Sequence, residues 1–302
     1  MNEKRTPGNG RVIPGKTRII SLLAVLFLFS LFRPVHADSG PKPSVHVLFE
    51  NVGDTVCYGT LLSRTESTGP ACADSFNREN YERYGNGMTE DEWRGFIDYQ
   101  DADGFFFLQR AWKIDKEHSL DWTYYPPQTF KVLLYFPETG RFAVSRVMDR
   151  TAFSSWYIID LKAWEKGGDT DLEIRNGYRF GTEALKMAGR LLLTILLELL
   201  VGLLFRFRSK RQIRRIVLVN IITQVLLNLV LFWADFRYGP QAFVFACVLM
   251  ELFIVLAEAI AYTKLLPEKE PGRMTGSTGI CWLYSLTANA VSFAAGLLIP
   301  FL

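Results

Sequence analysis

The chain has few of the residues that most often carry chemistry. Its 302 residues include three histidines and four cysteines. His36 precedes an expected cleavage point, so the mature chain keeps His46 and His118. H-E-x-x-H, G-x-S-x-G and paired C-x-x-C motifs are all absent. With them go the compact signatures of zinc proteases, α/β-hydrolases and zinc ribbons. No catalytic residue, metal site or cofactor is assigned from sequence. The chain also lacks a strong charge of one sign, with a net +3, which excludes a nucleic-acid binder with a single basic field.

That small net charge hides three unlike blocks. Residues 1–37 carry six Lys/Arg against one acid, residues 38–187 carry 17 against 24, and residues 188–302 carry 11 against six. The first block has a basic stretch containing Lys4, Arg5, Arg11, Lys16 and Arg18, then an apolar run over 19–32, then Val35-His36-Ala37. This is the layout of a signal peptide cleaved after Ala37. The run spans about 21 Å as a helix, short of the roughly 30 Å of a bilayer core.

The last block predicts four membrane helices, over 188–205, 216–234, 242–262 and 280–302. The first connection, 206–215, holds six basic residues and no acid. Positive charge keeps such a loop in the cytoplasm. The alternation that follows places residues 38–187 outside the membrane, as the signal peptide does independently. Trp233, Tyr238, Trp282 and Tyr284 are expected at interfaces as an aromatic belt.

The middle block, about 150 residues, is an ordinary domain size. Alternating or aromatic runs at 44–50, 55–62, 104–112, 129–136, 141–148 and 154–161 predict strands. Pro137-Glu138-Thr139-Gly140 is turn chemistry between two of them. Thr89 with Glu92 forms a capping box ahead of a helix whose face is Trp93, Phe96 and Ile97. The fold class is therefore an α+β membrane protein. A β-rich outer domain, an antiparallel sheet or sandwich with one or two helices, precedes a four-helix transmembrane bundle. The segments 39–43 and 166–170 look like linkers.

Several groups are candidates for function. Cys57 and Cys72 lie in the exported block, where a disulfide is permitted. Cys247 and Cys281 lie in membrane segments as small apolar residues. Asp98, Asp101 and Asp103 precede Gly104, but an EF-hand register would put Tyr99 first and Arg110 twelfth, so a solvated turn is the better reading. The run from Asp121 to Pro127 contains Trp122, Tyr124 and Tyr125, which form either a binding surface for a sugar, peptide or protein or a cover for the sheet.

The sharpest signal is polar residues inside the apolar segments. Glu198 lies mid-span in the first. Asn220, Gln224 and Asn228 recur at every fourth position in the second, with Thr223 beside them. Glu251 and Glu258 share a face of the third, and Ser285, Asn289 and Ser292 make a stripe in the fourth. Charged groups at a bilayer centre cost at least about 2.5–3.5 kcal/mol, so these faces turn toward one another or toward a partner. Arg190 is placed near an outer end, free to snorkel, which leaves the glutamates without a basic partner at their depth. Two uses remain open: hydrogen-bonded joints within the bundle or to another membrane subunit, and a path for protons or cations.

The stretches 58–63, 67–70, 122–127 and 134–139, with 194–198, 220–228 and 251–262, resemble an uncharacterised family of Gram-positive bacterial membrane proteins. The resemblance covers most of the mature chain. It implies an exported domain followed by four helices, and it brings no activity or site residue. The leading expectation is a non-enzymatic envelope sensor, binding or accessory subunit. Its partners would be the bilayer and another membrane protein or a second copy. A small proton- or cation-coupled transporter or channel component is the alternative.

Overall fold

Val45 and Val47 alternate with His46 and Leu48, and the first pair is fully buried. That alternation makes Ser44–Glu50 a strand with one face in a core. A computed structural model describes residues 40–298 apart from 54–55, 66–74, 118, 163–170 and 271–272. The expected signal segment, Cys72, His118, residue 39 of the first linker and the whole of the linker 166–170 lie outside the described residues.

The chain order is β1 (Ser44–Glu50), β2 (Cys57–Ser63), α1 (Arg78–Tyr84), α2 (Glu90–Asp98), β3 (Phe106–Phe107), β4 (Trp112–Ile114), β5 (Leu120–Trp122), β6 (Thr129–Phe136), β7 (Arg141–Ser145), β8 (Met148–Asp149), β9 (Ser154–Asp160), β10 (Asp171–Leu172) and β11 (Ile174–Asn176). One sheet runs β11-β9-β1-β5. The other runs β10-β7-β6-β2-β3, with β4 on β2 and β8 on β6. Val45, Val47, Trp122 and Tyr157 of the first sheet share a core with Leu61, Val132, Leu134 and Ala143 of the second. The two sheets therefore form a sandwich. The far face of the second sheet is covered by α1 and α2, through Trp93 and Phe96 against Leu62, Phe107 and Leu133. Every residue of β2 is buried because both its faces are covered.

The capping box forms as the sequence indicates. Thr89 N–H donates to Glu92 at 2.7 Å, and Glu92 N–H donates to Thr89 Oγ1 at 3.3 Å. The β6–β7 hairpin turns through Gly140, whose φ is +64° and whose N–H reaches Phe136 O at 2.9 Å. Most strand pairs are antiparallel, but β1–β9 and β7–β10 are parallel. A parallel pair needs a long crossover, and Ser44 and Ser154 are 110 residues apart.

Four helices follow: α3 (Phe180–Leu204), α4 (Lys210–Tyr238), α5 (Pro240–Leu265) and α6 (Thr278–Leu298), with the short hairpin β12 (Glu268–Glu270) and β13 (Arg273–Thr275) between the last two. Three of them, α3, α4 and α5, are long and apolar enough to cross a membrane. The helices run beyond the expected spans at several ends. The helix α3 starts at Phe180, so Arg190 lies well inside it and away from its end. Polar residues hid the helical turns there, since Glu183 and Lys186 pair on its surface at 2.9 Å. Ser209 and Gln212 form a second capping box that starts α4. Gly239, at φ +86°, ends α4, and Pro240 begins α5, the position where a missing N–H costs least.

Candidate functional site: a polar core in the bundle and a joint above it

Glu198 of α3 is fully buried. Its Oε2 accepts from Asn220 Nδ2 of α4 at 2.5 Å, Tyr262 Oη of α5 at 3.3 Å and Tyr284 Oη of α6 at 3.5 Å. Tyr284 also reaches the Glu198 carbonyl at 3.2 Å, and Asn220 reaches Tyr262 Oη at 3.0 Å. One carboxylate thus joins all four helices. Gly202 permits this closeness: a Cβ there would lie 3.3 Å from Ile216 and 3.6 Å from Tyr284 Oη.

Glu258 of α5, also fully buried, accepts from Thr223 Oγ1 and from Asn289 Nδ2, each at 2.7 Å. Ser285 Oγ donates to the Val255 carbonyl at 3.0 Å, tying α6 to α5 beside it. Each interhelical bond contributes about 0.6–1.7 kcal/mol. Two such bonds, together about 1.2–3.4 kcal/mol, offset much of the desolvation cost of the buried carboxyl.

Glu251 stands apart from this cluster. It lines a cavity of about 220 Å³ with Gln224, Asn228, Ser292, Cys247 and Arg190. Arg190 and Glu251 thus line one cavity from α3 and α5. Asn228 Nδ2 meanwhile bonds the Gln224 carbonyl at 2.8 Å. Tyr284 was expected at an interface, but it is fully buried, while Trp233, Tyr238 and Trp282 are exposed. Sequence reasoning missed Tyr262 and Tyr284 as partners of Glu198. The spacing of Tyr262 four residues after Glu258 was the available signal.

The β-rich region meets the helix ends directly. Phe153 N–H donates to the Phe236 carbonyl at 2.8 Å. A cavity of about 490 Å³ opens at this joint, lined by Ser154, Trp156 and Phe153 from the domain and by Tyr178, Arg179, Glu183, Asp235 and Phe236 from the helix side. Tyr178 and Phe236 meet edge to face at 5.2 Å.

The expected aromatic surface is divided. Trp122 is wholly buried, its indole N–H donating to Tyr124 O at 2.9 Å. It is core and not surface, because it faces inward on β5. Tyr124 and Tyr125 remain exposed. The acidic turn is held by a cation of the chain itself: Lys131 Nζ lies 2.7 Å from both Asp101 Oδ1 and Asp103 Oδ2. Cys57 is buried in the sandwich, and burial, with the charge of Asp115, pushes its thiol up to about 12. Its suggested bridge involves Cys72, outside the described residues.

Sequence reasoning also passed over His46. It sits mid-strand between Ser44 and Asp121, and no sequence motif could signal that grouping. Comparison of the chain with protein-family models, curated proteins and solved structures finds no match.

Proposed function

We propose that this is a multi-pass protein of the bacterial cytoplasmic membrane, with residues 38–187, including the first turns of α3, exported and the rest of α3 with α4 to α6 embedded. In this reading it serves as an envelope sensor or binding subunit, and its ligand enters the cavity at the joint. The observation that carries the reading is that this cavity has walls from both parts of the chain. A ligand there touches the exported sheet and the helix ends at once. The lining combines the rings of Trp156, Tyr178 and Phe236 with the carboxylates of Glu183 and Asp235, which outnumber its one cation, Arg179. Aromatic faces with acids suit a small organic cation. Embedding is supported by the outward leucines and phenylalanines, such as Leu196, Leu200, Phe245 and Leu252, each more than half exposed. The basic connection after α3 supports the orientation. The polar core then acts as the joint that fixes the four helices.

Titration of the purified protein in detergent with tetraethylammonium or choline, followed by the fluorescence of Trp156, tests the ligand reading. Saturable quenching is expected, lost in Trp156→Phe and weakened at least tenfold in Glu183→Gln/Asp235→Asn. Absence of saturation with any organic ammonium would overturn it.

A second reading, a proton or cation path, is favoured by one observation. Glu198 Oε1, Asn220 Oδ1 and Asn289 Oδ1 are buried without hydrogen-bond partners, which leaves acceptor positions beside both carboxyls. Proton flux into vesicles, compared among Glu198→Gln, Glu251→Gln and Glu258→Gln, decides this. Unchanged flux in all three variants defeats it.

A further inference from the structure

The face of the first sheet turned away from the sandwich core carries an ordered chain of polar side chains. His46 and Asp121 are cross-strand partners on β1 and β5. His46 Nδ1 lies 2.5 Å from Asp121 Oδ1, and its Nε2 lies 2.9 Å from Ser44 Oγ. Ser44 and His46 are two apart on β1, so both side chains leave the same face of the strand. The far oxygen of Asp121 is itself held, accepting from Ser119 Oγ at 2.6 Å. Trp156, opposite His46 on β9, stacks on the imidazole with ring centres 4.1 Å apart and planes 15° from parallel.

From these contacts we infer that Ser44, His46 and Asp121 form a nucleophile, base and orienting carboxylate for acyl transfer. Such a constellation is recognised by geometry and role, and sequence order is irrelevant to it. Asp121 fixes the tautomer with the proton on Nδ1, which leaves Nε2 as the acceptor facing Ser44. Imidazolium forming during the reaction meets the Asp121 carboxylate on one side and the Trp156 ring face on the other. Both stabilise positive charge.

The second neighbour of the buried Ser44 stands in the wall of the joint. Ser44 Oγ lies 3.1 Å from Ser154 Oγ, and Ser154 and Trp156 line the cavity of about 490 Å³. Substrate therefore approaches over Ser154. The class is a carboxylic ester small enough for that cavity. Ser44 Oγ attacks the carbonyl carbon, forming a C–O bond while its proton passes to His46 Nε2. The tetrahedral intermediate collapses by breaking the bond to the leaving alkoxide, which takes the proton from His46. Water then attacks the acyl-Ser44 ester by the same route, and the sum is ester plus water to acid plus alcohol. Ser154, whose Oγ accepts from Ser44 Oγ in the resting arrangement, and the cation Arg179 stand in the cavity wall.

This proposal goes beyond ligand binding; it shares the cavity and Trp156 with that reading, but its test reads labelling of Ser44 and ester turnover and does not depend on organic-cation affinity. The full-length protein in mild detergent is treated with a fluorophosphonate probe and digested for mass spectrometry, and hydrolysis of p-nitrophenyl butyrate is followed in parallel. A phosphonate adduct on Ser44 is expected, together with ester turnover. Both should fall about 100-fold or more in His46→Gln and Asp121→Asn. The label is read on the unmodified protein, so a variant that folds poorly leaves the test intact; its folding is checked by circular dichroism. No adduct on Ser44 in the folded protein, or labelling unchanged by His46→Gln, would overturn the proposal and leave a hydrogen-bonded clamp across the sheet only.

Discussion

The N–H of Phe153, just ahead of β9, donates to the carbonyl of Phe236 in the last turn of α4 at 2.8 Å. The same phenylalanine ring lies against Gly239, where a Cβ would come within 2.7 Å of three ring atoms. Domain and bundle are therefore joined by a backbone bond and a close ring contact only glycine allows. Gly239 also sits at φ +86°, which side chains rarely adopt. Gly239→Ala is expected to cost about 1–3 kcal/mol through both effects. A lowered melting temperature in detergent checks this, and wild-type stability would refute it.

Asn220 is the shortest donor to Glu198. Asn220→Leu strips that donor from a buried carboxyl and should destabilise the bundle by about 1–3 kcal/mol. Glu198→Leu/Asn220→Leu should lose less than the sum of the two single changes, since the two side chains share one interaction. Unfolding titrations with a denaturing detergent give all three values. Strict additivity would show that the contact carries no energy.

The Lys131 cluster has a definite pH signature. The hydrogen bond and charge of Lys131 hold the Asp103 carboxyl below its ordinary 3.8. Its contribution is therefore present above about 3.8 and is lost as pH falls through the lower folded value. Burial alone would lower Lys131, but the bonds and charges of Asp101 and Asp103 outweigh it and hold the ammonium above its ordinary 10.5. That contribution is present below 10.5 and is lost as pH rises through the folded value. The difference in melting temperature between wild type and Lys131→Met should be greatest between these limits and shrink at both ends. A pH-independent difference would contradict the assignment.

Cys57 should resist alkylation at pH 8 in the folded protein, because its thiol is buried and raised to about 12. Unfolding under reducing conditions should open it to iodoacetamide. Mass spectrometry of Cys57-containing peptides reads the outcome, and rapid labelling of the native protein would argue that the sandwich opens locally.

Much of the architecture could be read directly from residue patterns. Strand β6 matched its aromatic and β-branched run, and Thr89 with Glu92 announced α2 by a local rule. Long apolar stretches marked the later helices, because their length is set by composition alone. The polar stripe of Asn220, Gln224 and Asn228 was legible as periodicity, and it does face inward. What was not legible required knowing neighbours. Nothing near Arg190 in sequence reveals Glu251, and nothing near Trp122 says that it faces the core while Tyr124 faces solvent. The grouping of Ser44 and His46 with Asp121 depends on β1 lying beside β5, a pairing that spacing does not encode. Tyr284 misled because an aromatic near a helix end suits an interface and a buried hydroxyl equally.

The parallel pairing of β1 with β9 sets an order of assembly. The first sheet cannot close until the chain has been made as far as Ser154–Asp160, and its edge strand ends at Asn176, only a short step before α3 begins at Phe180. Local pieces such as the β6–β7 hairpin are free to form early. The β1 strand meets β5 first, 75 residues on at His46 and Asp121, and must wait for β9, 110 residues on at Ser44 and Ser154, to fill its other edge. Closure of the sandwich is therefore timed to the synthesis of the first long helix, and the interval before it is when the nascent chain is most exposed to aggregation.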